Sequence, residues 1–279
     1  MNRSHSIDVA LPLVSIIMPV FNVEDFVAES IRTVLHQTYS NWELIIIDDH
    51  STDASLGVVT SFSADDRIKI FTNEKNLGGA GARNRGINAA SGKYIAFLDS
   101  DDLWLPTKLE RQIAFMEKHK ISFSYTGYQS MTESGDFISA IEVPEFVDFK
   151  RLCSHNYIPC LTAIYNAEKL GKVLMPAIRK RQDYALWLRI IGQCKVGFGV
   201  TEQLAYYRIR QGSLSRNKLD NIKYYYAVLA SQVRLNRFQQ IWFSLVYTVI
   251  AALKLKAPTV YNKVWIRTLN LFKPRVGDL

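Results

Sequence analysis

The chain has 279 residues, 48% of them hydrophobic and 22% charged, with 34 Lys and Arg against 26 Asp and Glu for a net charge of +8. That composition supplies a real core for one large α/β domain with an appendage, and it excludes disordered and fibrous classes. No run reaches the roughly 18 uninterrupted apolar positions of a spanning helix, which excludes a multi-pass membrane protein. Residues 1–12 carry Asp8 and lack a long apolar stretch, so no secretory signal is expected. The three cysteines, Cys153, Cys160 and Cys194, have no metal-type spacing and read as reduced core residues of a cytoplasmic protein.

In chain order, residues 14–20 (VSIIMPV) predict a strand, and Asn22 predicts the cap of a helix whose Val27, Ile31, Val34 and Leu35 recur at helical spacing. Residues 42–47 (WELIII) predict a buried strand ending in Asp48 and Asp49, after which Ser51 and Asp53 open a helix. A strand is expected over 68–71, a helix over 80–90, a strand over 94–98 ending in Asp99, and a helix over 107–119. This alternation is the signature of βαβ units and a mostly parallel sheet. From Ile121 the pattern changes to strict alternation, with a turn at Glu133-Ser134-Gly135-Asp136 and a further strand through Ile141, which predicts an antiparallel extension. Residues 142–181 are mixed in pattern; a helix over 183–191 and a strand over 196–209 follow, and residues from 217 to about 273 read helical with a break at Pro258.

The positive charge is uneven. From Leu219 to the end there are nine basic and two acidic residues, a net +7, so the first 218 residues are nearly neutral. The same region holds the apolar, aromatic-rich run 241–253 (IWFSLVYTVIAAL), too short to span a bilayer of ~30 Å but suited to burial at an interface. Basic flanks with Trp242, Phe243, Tyr247 and Trp265 predict a helix on an anionic membrane surface; the competing expectation is a packing element or a homodimer contact. Nucleic acid is not the expected partner, because acidic strand ends would repel it.

Ligands of open parallel sheets gather outside the carboxyl ends of the strands, so the acids at two such ends should share one crevice. Asp99-Ser100-Asp101-Asp102 follows a fully apolar strand, and carboxylates one residue apart at a strand end can reach a common Mg²⁺ or Mn²⁺. The competing expectation is that Asp102 caps the next helix. The run Gly78-Gly79-Ala80-Gly81-Ala82-Arg83-Asn84-Arg85-Gly86 opens a helix but fails the dinucleotide fingerprint, since Asn84 stands at its sixth position, and it has no Walker lysine. It reads instead as a place where backbone approaches a ligand, with Arg83 reaching a phosphate or steadying the acidic crevice.

Four motifs in order, Pro19-Val20-Phe21-Asn22, Asp48-Asp49 with Ser51-Thr52-Asp53, Asn76-Leu77-Gly78 with Ala82-Arg83-Asn84, and Asp99-Ser100-Asp101-Asp102, resemble the family 2 glycosyltransferases. Gln182-Asp183-Tyr184 with Leu186-Trp187-Leu188 is similar to the start of that family's catalytic helix, and Tyr207-Arg208-Ile209-Arg210 with Gly212-Ser213-Leu214-Ser215 to its nucleotide-closing loop. The resemblance implies an α/β GT-A fold, Rossmann-like, with a mostly parallel sheet, a small antiparallel extension and a C-terminal helical tail. Residues 1–216 would form the glycosyltransferase domain, with 13–130 binding the nucleotide-sugar and 131–216 facing the acceptor, and 217–279 a basic amphipathic helical region.

The resemblance also implies roles. Pro19, Phe21 and Asp48 or Asp49 would line the uracil and ribose site, with Asn22, Arg83 and Ser100 beside them. Asp99 would contact the nucleotide, Asp101 with Asp99 would hold Mn²⁺ or Mg²⁺ on the diphosphate, and Arg208 or Arg210 would face the leaving UDP. Asp183 would be the base, with Gln182 standing where family members often carry Glu. The implied activity is inverting transfer of a hexose from a UDP-sugar, UDP-glucose or UDP-galactose, to a lipid-linked (undecaprenyl-diphosphate) saccharide in O-antigen or other surface polysaccharide synthesis, at the cytoplasmic face of the bacterial inner membrane. Two alternatives stand beside it: a weakly catalytic nucleotide-sugar-binding partner in an assembly complex, and a transferase for a soluble acceptor.

Overall fold

The computed structural model describes residues 11–210, 218–232 and 235–256. Its elements run β1 (Val14–Val20), α1 (Val27–Leu35), β2 (Trp42–Asp48), α2 (Ser55–Thr60), β3 (Ile68–Thr72), α3 (Gly78–Ala89), β4 (Tyr94–Phe97), β5 (Leu103–Trp104) and α4 (Lys108–Lys118). The second part follows with β6 (Phe123–Met131), β7 (Phe137–Ile141), β8 (Phe146–Asp148), α5 (Phe149–Ser154), β9 (Ile164–Asn166), α6 (Ala167–Leu170), α7 (Gln182–Cys194), β10 (Val196–Arg208), α8 (Lys218–Ala230) and α9 (Arg237–Lys256). One sheet runs β3-β2-β1-β4-β9-β6-β10-β5, with β7 on β6 and β8 on β10. The pairs β3-β2, β2-β1, β1-β4 and β6-β10 are parallel; β9 joins the two parallel parts by antiparallel pairing to β4 and β6.

Both faces of the sheet are covered, which is why its central strands are apolar throughout rather than alternating. Successive side chains point to opposite faces. Ile17, Ile45 and Phe97 therefore pack with Ile87 of α3 and Trp187 of α7, while Ile16, Leu44 and Ala96 pack with Ile31 of α1 and Ile113 of α4. At Gly86 a Cβ would come within 2.6 Å of Ile17 Cγ2, and at Gly81 within 2.5 Å of Leu77 Cβ. Those two glycines allow close packing of α3, and Gly78, at φ +74, serves the turn into the helix; Gly78, Gly79 and Gly81 also line the cleft described below.

The structure departs from the sequence-based expectation at four places. Asn22 does not cap α1, which starts at Val27; it sits at φ 50, and its Oδ1 accepts from Thr52 N at 2.9 Å, tying the loop after β1 to the loop after β2. Asp102 caps nothing either: it is buried, and its Oδ1 accepts the Arg208 amide at 2.8 Å. The two-residue strand β5 pairs with β10 at Ala205 and Tyr206, a pairing too short to leave a pattern. The C-terminal helical stretch is divided, with α8 ending at Ala230 and α9 beginning at Arg237. Pro258, Trp265 and Gly212–Ser215 lie outside the described residues.

On their inner side the two last helices pack on the domain through a stack of tyrosines. Tyr225 of α8 lies 5.3 Å from Tyr184 of α7 and 3.9 Å from Tyr247 of α9, centroid to centroid and nearly parallel. Tyr184 Oη donates to the Leu152 carbonyl and Tyr225 Oη to the Cys153 carbonyl, so the stack is anchored in α5. The outer side of α9 is different: Phe238, Ile241, Trp242, Leu245 and Val249 are 77%, 52%, 57%, 59% and 58% exposed. Their spacing puts them on one face. No helix among the described residues is long and apolar enough to cross a membrane.

Candidate active site

The cleft lies outside the carboxyl ends of β1, β2 and β4, where an open parallel sheet gathers its ligands. At about 1220 Å³ it exceeds the roughly 300–1,000 Å³ of a usual small-molecule pocket and has room for two ligands. Of the sequence-predicted residues it brings together Pro19, Phe21, Asp49, Arg83, Asp99, Ser100, Asp101, Asp183 and Arg210. Asn22, Asp48 and Arg208 do not line it.

Each of these three has a local reason. Asn22 is used between loops, as above. Asp48 is buried with Oδ2 accepting the Ser51 amide at 3.2 Å, while its Oδ1 has no hydrogen-bond partner among the described residues. Arg208 points under the floor: Nη2 meets Glu29 Oε2 at 2.6 Å, Nη1 donates to the Glu133 carbonyl at 2.7 Å, and Nε to the Asp101 carbonyl at 2.9 Å. It braces the acidic loop from behind, so of the two candidate arginines only Arg210 faces the cleft.

Part of the cleft lining is a set of paired charges. Arg83 Nη2 bonds Asp99 Oδ1, and Arg210 Nη1 stands 3.3 Å from Asp101 Oδ2 with its guanidinium 4.6 Å above the Phe26 ring. Asp49 lines the cleft while its Oδ1 accepts Asn73 Nδ2 at 2.7 Å and the Leu77 amide at 2.8 Å, which holds the start of α3 against β2. Phe21 is 47% exposed at the rim, an aromatic face open to a planar ligand.

Burial and the neighbouring Asp99 charge push the Asp101 carboxyl up, with Arg210 pulling the other way. Burial, Asp101 and Asp99 push the Asp102 carboxyl well up. A carboxylate pushed up by a neighbouring negative charge is relieved by a divalent cation held between it and a phosphate. Among the described residues no group of three or more His, Cys, Asp or Glu could hold a metal ion. The chain thus offers Asp99 and Asp101, and a cation there would complete its shell from diphosphate oxygens and water, the habit of Mg²⁺ and Mn²⁺ rather than of a closed protein cage. The residues fit such a group.

Asp183, in the first turn of α7, lines the same cleft. Burial raises its pKa, an effect opposed by hydrogen bonding to the Tyr184 amide and by Arg83, and reinforced by Asp99. A carboxylate raised toward neutrality on a cleft wall is suited to take a proton. Cys160 also lines the cleft, but burial pushes its thiol well up, so no thiolate nucleophile is offered there.

Sequence reasoning missed the residues that precede Asp183. Arg179, Lys180 and Arg181 line the cleft, as do Asn156 and Tyr207. The run of three basic residues is visible in the sequence but falls in the stretch without periodicity. Its placement comes from Asn84, whose Nδ2 donates to the Met175 carbonyl at 2.9 Å and whose Oδ1 accepts the Met175 amide at 2.8 Å, clamping the segment to α3.

Comparison with known proteins agrees with this geometry. Residues 15–164 match the family model described as Glycosyl transferase family 2. The chain is 40% identical over 247 residues to the UDP-Glc:alpha-D-GlcNAc-diphosphoundecaprenol beta-1,3-glucosyltransferase WfgD of Escherichia coli, covering 87% of this chain and 94% of that protein. It shares its fold with S. aureus TarS in complex with UDP-GlcNAc, at a TM-score of 0.68 and 17% identity over 90% of this chain and 76% of TarS. The same holds for the mannosyltransferase PcManGT of Pyrobaculum calidifontis in complex with GDP-Man and Mn²⁺, at a TM-score of 0.64 and 15% identity over 95% and 82%.

Proposed function

The chain belongs to glycosyl transferase family 2 and has the GT-A fold, and from that premise we propose that it moves a hexose, glucose or galactose, from a UDP-sugar to a hydroxyl of an undecaprenyl-diphosphate-linked saccharide, with inversion. The observation that carries this reading is one cleft lined both by Asp183 and by the acids Asp99 and Asp101, which are paired to Arg83 and Arg210. The identity to WfgD, which covers nearly all of that protein, supports the donor and acceptor classes.

In the mechanism Asp183 accepts the proton of the acceptor hydroxyl as its oxygen attacks the anomeric carbon. Arg210 meets charge that develops on the leaving diphosphate, and Arg83 holds Asp99 in place. A divalent cation held by Asp101 and Asp99 would supply Lewis-acid stabilisation of that same charge. Phe21, Pro19 and Asp49 receive the nucleoside. A single displacement inverts the anomeric centre, so an α-linked UDP-sugar yields a β-linked product and no second carboxylate is needed as nucleophile.

The test is a donor screen with a sugar-diphosphate-lipid acceptor and determination of the product linkage by NMR. A β-linked hexose from UDP-glucose or UDP-galactose is expected; failure with every UDP-sugar, or an α-linkage, counts against the reading.

The acceptor class implies work at a lipid surface, and the outer face of α9 suits it. Its five exposed apolar residues stand beside Arg237, in the region that carries nine basic against two acidic residues after residue 218. Such a face gains by apolar insertion and by about 1 kcal/mol or less for each basic residue near anionic lipid. Full-length protein should sediment with anionic vesicles at low salt, far less at high salt, and several-fold less when Trp242 and Leu245 are both changed to Ser. Equal sedimentation of the altered and unaltered proteins would remove the membrane role; a loss of dimer in size-exclusion chromatography instead would make the face a homodimer contact.

A further inference from the structure

We infer that the segment 179–181 is a second diphosphate site, one that takes the diphosphate of the acceptor rather than that of the donor. The inference rests on the reading above that the acceptor is a glycosyl diphosphate. Five cations line the cleft, and they are not equivalent. Arg83 and Arg210 are committed to Asp99 and Asp101. Arg179, Lys180 and Arg181 line the cleft consecutively, directly before Asp183, and among the described residues neither Arg179 nor Arg181 has a carboxylate within 4 Å, although Arg181 is close enough to lower the Asp183 pKa. Consecutive basic residues lining a cleft suit a multiply charged anion as ligand.

Arg181 is built for such a ligand. Its Nη2 donates to Tyr247 Oη at 2.7 Å, and its guanidinium lies 5.3 Å from the Tyr247 ring and 5.8 Å from the Tyr225 ring, so the aromatic stack holds one edge of the fork. Its Nε is buried with no hydrogen-bond partner among the described residues. A buried donor without a partner beside a cleft is what a bound anion would satisfy. Arg181 also adopts φ 64, a region few non-glycine residues enter, at the turn into α7 where it and Asp183 both line the cleft. Lys180 Nζ stands 5.4 Å over the Tyr224 ring, and Gln182 Nε2 closes the turn on the Arg179 carbonyl at 2.9 Å.

The chemistry of the acceptor agrees with the order along the chain. The attacking hydroxyl must reach Asp183, and the diphosphate leaves the same sugar ring from its anomeric carbon on the far side. The cations two to four residues before the base stand where that group would emerge. The diphosphate of the donor is the other source of the same chemistry, and the experiment separates the two.

Full-length protein is assayed with two acceptors, a sugar diphosphate on a phenoxyalkyl chain and the same sugar on the same chain without phosphate. The ratio of kcat/KM between them is compared for the unaltered protein, Arg179→Ala, Arg181→Gln and Arg181→Lys, with the UDP dissociation constant measured beside it. Loss of a charge-assisted contact should lower the ratio about tenfold in Arg179→Ala and in Arg181→Gln, through KM of the diphosphate acceptor, with Arg181→Lys recovering part of it and UDP affinity within about twofold. An equal loss on both acceptors, an unchanged ratio in Arg179→Ala, or a parallel loss of UDP affinity overturns the inference. Arg179 is exposed, so its replacement leaves the packing of the cleft in place. Equal use of both acceptors by the unaltered protein would overturn the acceptor class as well; a strong preference that survives the substitutions overturns the diphosphate site alone.

Discussion

Asp183→Asn lowers kcat by about 10²-fold or more and leaves UDP affinity within about twofold. The amide keeps the size and much of the hydrogen bonding of the carboxylate but cannot take the acceptor proton. The fold should be unaffected, because α7 is held by Leu186, Trp187 and Ile190 in the core and by the Tyr184–Tyr225 stack rather than by residue 183. The pH profile provides a second readout. Burial raises the Asp183 pKa above the ordinary value near 3.9, and the base works only when ionised. In the unaltered protein kcat/KM therefore falls as pH drops through this raised pKa, so the acid limb is displaced upward from where an unperturbed aspartate would put it. That limb should disappear in Asp183→Asn. Near-normal turnover by the Asn variant would move the base elsewhere.

Asp101→Ala is expected to reduce transfer by about 10³-fold, with excess EDTA doing the same to the unaltered protein. The substitution removes a cation ligand and the nearer of the two carboxylates paired with Arg210, so the leaving diphosphate meets one fixed cation in place of a cation held by two carboxylates. The fold should survive it, since the Asp101 side chain faces the cleft and pairs with Arg210, whereas Asp102 is the buried acid that receives the Arg208 amide. Asp102→Ala is the contrasting variant, expected to lose stability as well as activity because the backbone of β10 loses its acceptor. Restoration of EDTA-treated protein by Mn²⁺ or Mg²⁺ is the direct measurement. Full activity in excess EDTA would sink the metal proposal.

Much of this site is legible in the chain itself. Buried parallel strands must be apolar on both faces, so the runs that became β1, β2 and β4 stand out, and the acids that follow Ile47 and Leu98 fall at strand ends by counting alone. The helix that carries Asp183 is equally plain, because Leu186, Trp187 and Ile190 repeat at helical spacing. The outer face of α9 was legible as a run of apolar residues beside basic ones, although not as a face, since Tyr247 and Gln240 of the same helix point inward.

What the chain alone determined, then, was which short segments meet at the crevice; which member of each pair faces it was decided by the tertiary structure. Asp49 lines the cleft and Asp48 does not; Asp101 lines it while Asp102 carries the Arg208 amide; Arg210 reaches it while Arg208 braces the floor. The physical reason is the same in each case. Neighbouring residues leave a strand end in different directions, and a shift of one or two positions changes a ligand-facing group into a buried strut. The phase is set by long-range partners: Glu29 for Arg208, Leu77 for Asp49, Asn84 for the segment that brings Arg179 to Arg181 beside the base. Such pairings join residues far apart in the chain and leave no periodicity in it, so only the folded structure decides them.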